Sequence, residues 1–81
     1  MSRERPAYRP VKHSVTLAGH RTSVSLEDEF WSALRDIAAA QDVPINTLVA
    51  QIDRDRNPQQ GLASALRLFV LDWFRQQAGS N

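Results

Sequence analysis

The clearest alternation of apolar and polar positions lies at His20-Arg21-Thr22-Ser23-Val24-Ser25-Leu26, just ahead of the acidic run Glu27-Asp28-Glu29. Thr22, Val24 and Leu26 fall on one side, and Arg21, Ser23 and Ser25 on the other. Period two over a run rich in β-branched residues predicts a half-buried strand over residues 20–26. A weaker alternation precedes it, with Val11, His13, Val15 and Leu17 set against Lys12, Ser14 and Thr16. Two readings of that stretch are open. It either lengthens the strand as an extended lead-in, the favoured reading, or folds back as a hairpin through Ala18-Gly19. That pair is not a preferred hairpin turn. Read as a lead-in, it leaves the strand without a partner in its own chain. A row of unpaired backbone donors and acceptors is costly when buried and adhesive when exposed. Pairing with the same strand of a second copy resolves this, so the expectation is a homodimer built on an intermolecular two-stranded ribbon.

From Glu27 the period lengthens. Phe30, Leu34, Ile37, Ala38 and Gln41 recur at i, i+4, i+7, i+8 and i+11, predicting an amphipathic helix over residues 27–41 with only its last stripe position polar. The three acids occupy the first turn, where the macrodipole favours negative charge, and Ser25 with Asp28 has capping-box spacing. Trp31 lies beside the stripe and reads as the edge of the core. Asp42-Val43-Pro44 ends this helix, and a second is expected over residues 44–54, with Ile45, Leu48, Val49 and Ile52 on its apolar face. Asp53-Arg54-Asp55-Arg56 alternates in sign and reads as a solvated, self-paired helix end.

Asn57-Pro58-Gln59-Gln60 supplies a cap, a proline and a capping-box glutamine for a third helix over residues 58–77, although Gly61 would delay its start to Leu62. Leu62, Ala65, Leu66, Phe69, Val70 and Trp73 make its stripe, and Leu68, Leu71 and Phe74 widen that stripe almost all round. A helix so apolar needs burial on several sides. Leu62, Leu66, Phe69, Val70, Trp73 and Phe74 are therefore candidates for a partner-binding or dimer-extending surface. Thr22, Val24, Leu26, Phe30, Leu34, Ile37, Leu48, Val49 and Ile52 form the expected dimer core. The fold class is thus mainly α with one N-terminal strand.

At 81 residues the chain is one small domain, and dimerisation would add core that a single copy lacks. A net charge of +1 conceals a strong division. Residues 1–25 carry five cations against one acid, net +4, whereas residues 26–81 carry five arginines against eight acids, net −3. Residues 1–10, with Pro6, Pro10 and scattered arginines, read as a flexible basic arm ahead of a domain spanning 11–78. This basic end is where a polyanion would sit. The chain has no cysteine, which removes disulfides and thiolate metal sites and suits a reducing cytoplasm. No apolar run approaches membrane length, and the N-terminus does not read as a signal peptide.

Catalysis has little support. His13 and His20 are the only imidazoles, both in extended stretches and neither near a nucleophile or at metal-ligand spacing. His20 shares parity with Thr22 and Val24 and reads as a strand-end residue. Gly19 and Gly61 are isolated, so no phosphate loop is present. The expectation is a protein that is not an enzyme and uses no cofactor or metal.

Strand, helix, tight turn, helix is an order that resembles the ribbon-helix-helix DNA-binding superfamily, which includes the Arc and MetJ repressors. Gly19 to Glu27 followed by Phe30-Trp31, and the later run Ser64 to Leu71, resemble a bacterial subfamily of that fold. The resemblance covers residues 11–75, with the superfamily core at 20–54. It implies a homodimer whose antiparallel ribbon enters the DNA major groove. Arg21, Ser23 and Ser25 would then face the bases. The N-terminus of the second helix, at Ile45, Asn46 and Thr47, would grip phosphate, helped by Lys12, Arg3, Arg5 and Arg9. The groove admits a two-stranded ribbon, and arginine can bond guanine O6 and N7 together. Two expectations follow. One is a sequence-specific transcriptional regulator, such as a repressor, acting on double-stranded DNA with assembly beyond the dimer left open. The other is an antitoxin-like or adaptor module whose C-terminal helix holds a protein partner.

Overall fold

The computed structural model describes residues 9–79, in the order β1 (Pro10–Leu17), β2 (His20–Glu27), α1 (Asp28–Gln41), α2 (Ile45–Asp55) and α3 (Leu62–Ala78). Strand β1 does not extend β2; it folds back on it. The two form an antiparallel hairpin that pairs Pro10 with Glu27 through to Leu17 with His20. The strand therefore has a partner in its own chain, and the expectation of a lone strand is overturned. The turn is Ala18-Gly19, with φ of 53° and 82°, both in the left-handed region that a type I′ hairpin turn requires. Gly19 adopts this freely. Ala18 does so against the clash of its Cβ, a cost of about 1–2 kcal/mol, which is why the pair did not read as a turn.

Residues directly opposite in an antiparallel pair share a face. The hairpin accordingly divides into an inner face of Val11, His13, Val15, Leu17, Thr22, Val24 and Leu26 and an outer face of Lys12, Ser14, Thr16, Arg21, Ser23 and Ser25. Val15, Val24 and Leu26 are buried against the helices, in one core with Trp31, Leu34, Ile37, Ala38, Leu48, Val49, Ile52, Ala65, Leu66 and Val70. Thr22, expected in that core, is exposed on β2, although Val15 opposite it on β1 is buried.

The apolar face of α1 is rotated from the expected stripe. Trp31 is buried and Phe30 only partly so, because the hairpin covers the Trp31 side. His13 stacks on the indole at 4.2 Å between ring centres and 10° between planes, and its Nε2 lies 3.5 Å from Asp28 Oδ1. Strand β2 continues through Glu27, which occupies the N-cap of α1, so Ser25 remains a strand residue and caps nothing. At the other end Asp42 takes the left-handed conformation and donates its N–H to the carbonyls of Ala38 and Ala39, with Val43 closing onto Ala38.

Pro44 is the N-cap of α2, one residue ahead of the helix. After α2, Asn57 does not cap a helix. Its Oδ1 accepts from Gln59 N–H at 2.9 Å and its carbonyl from Gln60 N–H at 2.8 Å, forming a turn that delays α3 to Leu62. The basic arm expected at 1–10 lies largely outside the described residues; its last residue, Pro10, already belongs to β1.

Candidate nucleic-acid interface

Beyond the Pro10–Glu27 pair at its far end, the outer face of the hairpin is polar. The register sets Lys12 opposite Ser25, Ser14 opposite Ser23, and Thr16 opposite Arg21. Two cations and four hydroxyls thus lie on a ribbon two strands wide, with no carboxylate among these six residues. All are exposed except Thr16, which is partly buried. Arg21, Ser23 and Ser25 are brought together as expected from their alternation. Ser14 and Thr16 join them from β1 and were not singled out as site residues. Their signal was the alternation of residues 11–17, whose meaning depended on recognising the turn.

The N-terminus of α2 stands at the outer edge of β1. Asn46 Oδ1 accepts from the backbone N–H of Thr16 at 3.3 Å. A two-residue turn makes Leu17 and His20 the hydrogen-bonded closing pair, so Thr16 and Arg21 form the next, non-bonded pair. Thr16 N–H must then point away from β2, where Asn46 meets it. By the same alternation the backbone groups of Arg21, Ser23 and Ser25 point away from β1. The edge of β1 is thus partly occupied by α2, while these three positions on β2 present an open edge. Ile45 is partly buried and Asn46 and Thr47 are exposed, so α2 offers its first turn of backbone N–H groups beside the hairpin.

A second clamp fixes the far end of the ribbon. Arg67 on α3 donates Nε to Glu27 Oε1 at 2.9 Å and Nη2 to Oε2 at 3.0 Å, a two-pronged pair across 40 residues of chain. The guanidinium lies 6.0 Å from the centre of the Phe30 ring. Hydrogen bonding from Arg67, aided by Glu27's own backbone, holds the Glu27 carboxyl below its ordinary range despite partial burial. The clamp ties the β2–α1 junction to α3 and occupies Glu27, the acid at the end of the outer face.

Among the described residues no group of three or more metal-ligating side chains is assembled, and no helix is long and apolar enough to cross a membrane. Leu66 and Val70, expected on a partner surface, are buried core residues, while Leu62, Phe69 and Trp73 are half-buried. The large apolar residues that α3 exposes are Leu68, Leu71 and Phe74.

A polar two-stranded ribbon, two helices packed beneath it, and an α2 N-terminus at its side are features of one architecture. The family described as "Ribbon-helix-helix domain" matches residues 10–74. The chain belongs to the ribbon-helix-helix family. Its members are generally DNA-binding transcription regulators or antitoxins, typically without enzymatic activity, and generally form dimers. No curated protein and no solved structure matches the chain. In this ribbon-helix-helix protein the matched region takes in the β1–β2 hairpin and most of α3, so both belong to the domain.

Proposed function

We propose that this ribbon-helix-helix protein is a sequence-specific regulator that binds the major groove of double-stranded DNA as a homodimer. The observation that carries the reading is the polar outer face of the hairpin from Lys12 to Thr16 and from Arg21 to Ser25, which holds two cations and no carboxylate. The open edge of β2 supports the mode of assembly. Two chains joined there would form a four-stranded sheet with β2 and its symmetry mate at the centre. Strands are spaced about 4.8 Å apart, so each β1 would run about 7 Å from the dyad, near the walls of a groove about 12 Å wide. Central Arg21, Ser23 and Ser25 would face base edges, whereas Lys12 on the outer strands would meet phosphates. The first turn of α2, at Ile45, Asn46 and Thr47, would supply backbone donors to the same phosphate run, with Arg9 contributing charge and Arg3 and Arg5 of the arm extending it. Phosphate contacts set position while base contacts set sequence.

Fluorescence anisotropy on a mixed pool of labelled duplexes, at two salt concentrations, tests this reading with wild type beside Arg21→Ala. The expected result is binding that falls steeply with salt and weakens in Arg21→Ala. Absence of binding at low salt, or binding indifferent to Arg21, overturns it. A second reading, attachment of a protein partner, is favoured by one observation: the uncovered Leu68, Leu71 and Phe74 on α3. The two readings are compatible, since the hairpin and this stripe are separate surfaces.

A further inference from the structure

Between α2 and α3, on a side of the molecule that the DNA reading does not use, lies a cavity of about 350 Å³. Leu48 and Ile52 of α2 and Ala65, Leu68 and Phe69 of α3 give it apolar walls. Leu48, Ile52 and Ala65 are buried in the core, whereas Leu68 is about half exposed and Phe69 partly so. Leu68, at the cavity's rim, also begins an i, i+3, i+6 row of exposed apolar residues, with Leu71 and Phe74, that winds obliquely round α3 away from the cavity. A closed pocket would suit a small molecule. A cavity adjoined by such a row suits a polypeptide laid across α3 with one side chain inserted.

The charges around the cavity choose the occupant. Three charged side chains line it: Asp55, Arg56 and Asp72. Arg56 is already neutralised, with Nε on Asp53 Oδ1 at 2.9 Å and Nη1 on the Gln60 carbonyl at 2.6 Å. Among the described residues neither Asp55 nor Asp72 has an ion-pair partner; Asp72 accepts from the uncharged Gln76 amide, at 2.9 Å. Gln41, Gln51 and Gln60 complete the lining with neutral amides. The cavity therefore presents two uncompensated carboxylates beside apolar walls.

We propose that the α2–α3 cavity and the adjoining Leu68–Leu71–Phe74 row bind a cationic amphipathic segment of a partner protein. The segment carries an aromatic or branched apolar anchor flanked by lysine or arginine. The anchor enters against Ile52 and Phe69, and the flanking cations pair with Asp55 and Asp72. The surface is separate from the hairpin, so the protein can hold DNA and this partner together.

The test selects from a phage library of random dodecapeptides on the full-length protein. The selected peptides are then synthesised with a fluorescent label for anisotropy against wild type, Leu68→Gln, Asp55→Asn combined with Asp72→Asn, and Arg21→Ala. The proposal expects enrichment of peptides with an apolar anchor flanked by cations. It expects affinity to fall about tenfold in Leu68→Gln and about fivefold in the double carboxamide variant, with the latter loss shrinking as salt is raised. Arg21→Ala should bind peptide like wild type, which separates this site from the DNA reading. No enrichment, enrichment of acidic or uncharged peptides, or affinity unmoved by the Leu68 and carboxylate changes overturns the proposal. The altered side chains are surface groups, and circular dichroism on each variant checks that the fold is retained. Should Leu68→Gln unfold, the double carboxamide variant still decides the matter.

Discussion

Ala18 is the residue of the turn least suited to folding β1 back on β2. It sits at φ 53° with its Cβ strained, and nothing about the side chain offsets that strain. Asparagine tolerates the left-handed region and with Gly19 would make a preferred type I′ pair. Ala18→Asn is therefore expected to stabilise the protein by about 1 kcal/mol, visible as a rise in melting temperature of about 4–8 °C. An unchanged or lower melting temperature would mean that the hairpin is not closed as described. Glu27 poses a different question, one of protonation. Its carboxyl titrates lower in the folded chain than in the unfolded one, chiefly because Arg67 holds its charged form. Stability from this pair is therefore fully present above the ordinary glutamate range and is lost as pH falls through the lowered folded value. Glu27→Gln should flatten this portion of the acid limb in urea titrations run from neutral pH downward. An acid limb identical to wild type would show that Arg67 gains nothing from the charge on Glu27.

At the scale of elements, the helices were the most legible in the sequence. Their apolar spacings at Leu34, Ile37, Leu48, Val49 and Ile52 place these residues in the core that the structure contains. The hairpin was legible only as two alternations, because the residue joining them adopts a conformation its type disfavours. Phe30 and Trp31 exchanged places for a related reason. A helical stripe gives the width of a buried face, but its centre is set by what packs on it, here β1 through His13. The outer residues Arg21, Ser23 and Ser25 followed from parity alone, whereas Ser14 and Thr16 needed the pairing. The open edge of β2 supports a specific expectation. Ser23→Pro removes a backbone N–H that points away from β1, so the hairpin keeps its ladder while pairing with a second chain at that position is blocked. Light scattering should report a monomer with wild-type helix content by circular dichroism. A variant that remains dimeric would move the dimer interface away from β2.

For the whole molecule, the separation of charge matters more than its total. The outer hairpin face gathers Lys12 and Arg21, while the cavity between α2 and α3 carries Asp55 and Asp72, so the two surfaces favour partners of opposite sign. Such a molecule suits attachment of a cationic protein segment to DNA without the two competing for one surface. The salt dependence of DNA binding can also count the chains involved. Each phosphate neutralised by a cation contributes about −0.9 to the slope of log affinity against log salt. If Lys12 meets phosphate and two chains bind together, Lys12→Ala removes two contacts, and the slope should become shallower by about 1.8. A chain acting alone would lose about 0.9. Because phosphate contacts carry no sequence information, affinity should fall by a similar factor on every duplex, whereas Arg21→Ala should also alter the ranking among duplexes. A Lys12→Ala slope equal to wild type would place the outer strands away from the phosphates, and the four-stranded arrangement with them. A change near 0.9 would keep the hairpin on DNA while dissolving the dimer.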